Sequence, residues 1–183
     1  ITGTVVVDGE THALDAWPGS QSHNWGPQHT DLYAWGQVSG FDDDPDAYLE
    51  CASAKLKMGV WLPMLSPVVL RLDGQDHLLN GPRQWLRNRG DFRDHSWQLR
   101  ARGDGLEVSI RFSAAADDFA RLTYRNPPGG TKTCLNSKLA TCELTVRRPG
   151  RPDRSLVASR RAAFEILGDP PQLAARAHLE VRR

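Results

Sequence analysis

The 183 residues include 23 Lys and Arg against 22 Asp and Glu, with 39% hydrophobic and 25% charged residues, which is the composition of one globular domain with a net charge of +1. That balance supplies no global field for nucleic acid, and no apolar run approaches the ~20 residues that a membrane-spanning helix needs. Cys51, Cys134 and Cys142 form no Cys-x-x-Cys pair and no zinc spacing with histidine, so the expectation is a reduced, cytoplasmic protein without metal or cofactor.

Residue 1 is Ile, and a strand-like segment follows at once without a charged or apolar leader, so the chain reads as trimmed or as part of a longer protein. Thr4 to Val7, Asp8-Gly9 and Thr11 to Trp17 predict a hairpin, because an Asp-Gly pair takes the positive φ angles of a tight primed turn. The same device recurs at Asp73-Gly74, between Val68–Leu72 and His77–Leu79, and at Asp104-Gly105, between Trp97–Arg102 and Leu106–Phe112. Leu32–Val38, Tyr48–Val60, Ala120–Tyr124, Thr133–Val146 and Leu156–Ile166 are further β-rich stretches. The total is about nine or ten strands at barrel or sandwich spacing, with no helical segments to serve as parallel crossovers. Pro127 to Gly130 and Arg147 to Asp153 read as turns. Only Pro171 to Val181 has helical spacing and a Pro start, and it predicts a short C-terminal helix. Asp42, Asp43, Asp44 and Asp46 form an acidic cluster, and Arg147, Arg148, Arg151, Arg154, Arg160 and Arg161 a basic one; both read as solvated surface.

The chemistry concentrates between Gly19 and Gly36, where His23, Asn24, Trp25, His29, Asp31, Tyr33 and Trp35 crowd into 18 residues flanked by glycines. Aromatic faces there offer contact area and can steady a nearby cation, while His, Asn and Asp orient polar atoms or move protons. The bland alternative is that Trp25 and Trp35 plug a barrel end while His23 and Asn24 bond backbone in an irregular turn. His23, His29 and Asp31 match no metal motif. Asp94-His95-Ser96-Trp97 echoes Ser22-His23-Asn24-Trp25 and makes His95 and Trp97 a second candidate pair. No Gly-x-Ser-x-Gly elbow supports a hydrolase triad. Thr131 to Val146 is a third candidate. As one strand it puts Cys134, Asn136, Lys138, Ala140, Cys142, Leu144 and Val146 on one face, with the two cysteines about 26 Å apart. As a hairpin turning at Asn136 to Lys138 it would let those cysteines meet. On the strand reading, Asn136 and Lys138 are polar groups lining a pocket.

The opening strand with its Asp-Gly turn, the His-Asn-Trp-Gly and Tyr-Ala-Trp-Gly segments, and Asp94 to Trp97 resemble a bacterial superfamily of lipocalin-like proteins. It includes the carotenoid 1,2-hydratases, the AttH proteins and, more remotely, tocopherol cyclases and two-barrel Diels–Alderases. The Trp-Tyr entry motif of the tocopherol cyclases is absent. The resemblance implies an antiparallel lipocalin-like β-barrel over residues 1–183, one half of a two-barrel protein, with a second barrel or a second copy of the chain as neighbour. It also implies an elongated apolar ligand such as an isoprenoid or polyene, protonated and then captured by water or cyclised. In that chemistry His23 or Asp31 is the acid, and Trp25, Trp35 and Tyr33 face the carbocation. The alternatives are a noncatalytic module binding a lipid or other hydrophobic ligand, and an inert barrel that supports a neighbouring active site.

Overall fold

The computed structural model describes residues 1–23, 26–61, 63–93, 95–168 and 179–180. Among them every strand pairing is antiparallel, save for one short parallel pairing near the C-terminus. β1 (Gly3–Val7) and β2 (Glu10–Leu14) form a hairpin of their own, both strands exposed. The main sheet is built from β3 (Leu32–Ser39), β4 (Tyr48–Lys55), β7 (Val68–Leu72), β8 (Gln75–Leu79), β9 (Arg89–Arg93), β10 (Ser96–Gly103), β11 (Leu106–Ser113), β13 (Thr131–Arg147) and β14 (Arg154–Gly168). Its order is β8-β7-β4-β3-β14-β13-β11-β10-β9. β12 (Ala120–Arg125) pairs with the free end of β13, and β5 (Lys57–Met58) and β6 (Val60–Trp61) make a small separate ribbon.

All three Asp-Gly hairpins form as the sequence predicts. Asp8, Asp73 and Asp104 adopt φ of 50°, 55° and 52°, each followed by a positive-φ glycine. The primed turn matches the right-handed twist of the strands it joins. Several elements depart from expectation: β9 forms where no strand is predicted, and the stretch Tyr48 to Val60 divides into β4, β5 and β6. Pro82–Arg87 is a helix, α1, started by Pro at its first turn, where no helix is predicted. Leu179–Glu180 is β15, a parallel partner of Ala120 and Arg121, so those two residues of the expected C-terminal helix are strand; the rest of Pro171 to Val181 lies outside the described residues.

Strand alternation buries one face of the sheet around Trp97, Phe112, Phe119 and Phe164. Trp97 stacks on Phe112 at 5.4 Å and on Phe164 at 6.3 Å between centroids. No backbone ladder joins β8 to β9 among the described residues, yet side chains tie that region together. Trp97 Nε1 donates to Ser53 Oγ, which bonds Ser66 Oγ at 2.9 Å. Buried Asn88 donates to the carbonyls of Ser66 and Leu79 and accepts from the Arg102 amide. Gly90 permits the approach of β9 to β4, since a Cβ there would lie 1.9 Å from Ser53 Oγ.

β13 is one continuous strand, and Cys51, Cys134 and Cys142 are free thiols. Its single-face reading needs correction. Between Ser137 and Ala140 the register against β14 slips by one residue, so Ala140, Cys142, Leu144 and Val146 point into the core while Cys134 and Asn136 point to the opposite face. The acidic and basic clusters also meet one another. Arg154 bonds Asp44 and Asp73, Arg148 bonds Asp73, and Arg161 faces Asp42.

Candidate functional site

Tyr33 and Trp35 alternate with core residues Ala34 and Gly36 in β3, so their rings stand on the face away from the aromatic core. Across the sheet, the register sets Trp35 between Ala52 of β4 and Glu165 of β14, with Asn136 of β13 beyond. Tyr33 lies beside Ala54 in the same way. Two alanines flanked by two large rings leave a groove. The segment before β3 and the β12–β13 turn wall it off, giving a cleft of about 680 Å³ lined by Ser22, Gln28, His29, Tyr33, Trp35 and Glu50, among others.

Two carboxylates sit in its floor. Glu165 accepts from Tyr33 OH at 3.3 Å, from Asn136 Nδ2 and from Lys138 Nζ at 3.4 Å. Glu50 accepts from Trp35 Nε1 at 3.1 Å and from Tyr48 OH at 2.6 Å, and Gln37 in turn donates to Tyr48. The ammonium of Lys138 stands 5.5 Å from the centre of the Trp35 ring. Burial raises the Tyr33 phenol well above its ordinary value, with Cys134 and Glu165 adding to the effect. Burial, then the hydrogen bond to Glu50, pushes Tyr48 up to about 12. Tyr124 is raised by burial and by Cys134, whose own thiol is pushed up to about 12 by burial and then by Glu165.

The residues named from the sequence divide between the two faces. His29 lines the cleft, stacks on Tyr124 at 5.3 Å, and its amide donates to Asn126 Oδ1 at 3.0 Å. Tyr33, Trp35, Asn136 and Lys138 join it around the floor. His23 is exposed, and Asp31 is half-buried with Oδ1 3.9 Å from Lys132 Nζ. Asn24 and Trp25 lie outside the described residues. Trp97 belongs to the core on the other face, and half-buried His95 packs its ring on core residue Phe119. Glu50 and Glu165 are the site residues that sequence reasoning missed. Among the described residues no group of His, Cys, Asp and Glu could hold a metal ion.

No family model and no solved structure matches the chain. It is similar to uncharacterized proteins from two strains of Mycobacterium tuberculosis, each 31% identical over 139 residues, which is 75% of this chain. The chain spans only 41% of the length of those relatives.

Proposed function

We propose that the chain is a lipocalin-like barrel module that binds an amphipathic small molecule in the outer-face cleft. The observation that carries this reading is the groove over Ala52 and Ala54, with aromatic walls and fixed polar groups at one end. Such a mixture of apolar contact area and a few convergent polar anchors is how small-molecule sites are built. The side chains that stitch β10 to β4 and β8 support the barrel form. Relatives of which this chain spans 41% are long enough for a second barrel, which supports a two-barrel protein. Filling the groove tests the reading: Ala52→Trp should abolish uptake of the ligand that copurifies with the native protein, detected by mass spectrometry, while leaving the melting temperature within a few degrees. Retention of that ligand by a folded Ala52→Trp variant would move the site elsewhere.

A second reading, acid-catalysed hydration or cyclisation of an isoprenoid or polyene, is favoured by the presence of His29 in the lining. Histidine is the side chain whose ordinary pKa suits proton transfer near neutral pH. On this reading the acid is His29 in place of His23 or Asp31. Turnover of such a substrate that survives His29→Gln would remove it.

A further inference from the structure

We infer that the polar end of the ligand is a cation, an alkylammonium group seated between the Trp35 ring and the Glu165 carboxylate. The inference rests on the small-molecule reading above and adds the ligand's charge class.

Three features lead to it. Among the described residues the cleft lining contains the carboxylates of Glu50 and Glu165 and no lysine or arginine. Glu50 accepts from two neutral donors, Trp35 Nε1 and Tyr48 OH, neither of which offsets its charge. The third feature is Lys138. Its ammonium lies 5.5 Å from the Trp35 centroid and 3.4 Å from Glu165 Oε1, the two contacts that a ligand ammonium would seek. The Lys138 side chain is 62% exposed, so its head can swing into water at small cost. Lys138 therefore acts as a resident competitor that marks the cation position and leaves when a better-fitting ammonium arrives.

The apolar part of the ligand follows from the register. Glu165, Trp35 and Ala52 are successive neighbours across three strands, which at about 4.8 Å per strand puts the Ala52 backbone about 10 Å from that of Glu165, with Trp35 between them. Ala52 and Ala54 leave that path open, and an extended alkyl chain of similar length lies along it.

Calorimetric titration of n-octylammonium and 1-octanol into the chain at pH 7 separates charge from tail, because the amine is protonated there and the alcohol is neutral. n-Octylammonium should bind about tenfold more tightly than 1-octanol, in the range expected for a cation over an indole beside a carboxylate. Lys138→Met, a change at an exposed position, should strengthen n-octylammonium several-fold and leave 1-octanol unchanged. Glu165→Gln should erase the preference for the amine. Equal binding of the two probes to wild type and to Lys138→Met would overturn the cation assignment and leave the small-molecule reading standing. Binding of neither probe would remove both. An ammonium preference untouched by Glu165→Gln would also overturn the seat proposed here.

Discussion

Tyr33, Tyr48 and Tyr124 are the three tyrosines of the chain, and all stand around the same cleft with phenols raised above their ordinary value of 10.0. A raised phenol holds its proton more tightly in the folded state than in the unfolded one. The resulting stability is fully present below pH 10 and is lost as pH rises through about 12, where Tyr48 titrates. An absorbance titration of the folded protein should therefore show tyrosinate appearing well above pH 10, with unfolding midpoints in urea falling over the same range; tyrosinate forming near pH 10 in folded protein would contradict it. The buried thiols behave alike. Ellman's reagent at pH 8 should label Cys51, Cys134 and Cys142 only as fast as the protein opens, because burial raises each thiol. Part of the cleft was legible in the sequence, since the i, i+2 spacing of Tyr33 and Trp35 fixes them on one face; that Asn136 stands near them is set by the strand register, which the sequence does not reveal. Glu50 and Glu165 were not, since a lone glutamate in a strand has the same local pattern whether it faces water or a pocket. Trp97 misled for the converse reason, its aromatic character being equally that of a core residue.

At the level of elements, the hairpins carry their own instructions. Gly105 sits at φ 71°, with open space where a Cβ would go, so the obstacle to a side chain there is backbone strain alone. Gly105→Val should cost about 1–2 kcal/mol in urea denaturation, the usual penalty for a left-handed non-glycine residue; a neutral result would mean that the turn relaxes freely. The strands flanking these turns are readable because alternation and turn chemistry agree. α1 and β9 escape sequence reading because each is short and polar: Pro82–Arg87 contributes no buried residue, and Arg89–Arg93 exposes its alternate positions. The slip in β13 escapes it too, for it depends on how β13 meets β14.

For the molecule as a whole, β8 and β10 are tied by side chains where no ladder runs between them among the described residues, and Asn88 is central to that tie. Its amide satisfies three backbone groups from three segments. Asn88→Ala would strand buried carbonyls at Ser66 and Leu79 and should destabilise the fold by about 2–4 kcal/mol, with β9 and β10 amides losing exchange protection first. Exchange that instead loosens β13 and β14 first would show that Asn88 does not hold β9 and β10 in place. Before its inserted residue, β13 turns Cys134 and Asn136 toward the cleft's side of the sheet; after it, the same strand feeds the core with Cys142 and Leu144. Losing one amino acid near Leu139 would turn half the strand inside out, making the length of this stretch matter more than its lettering.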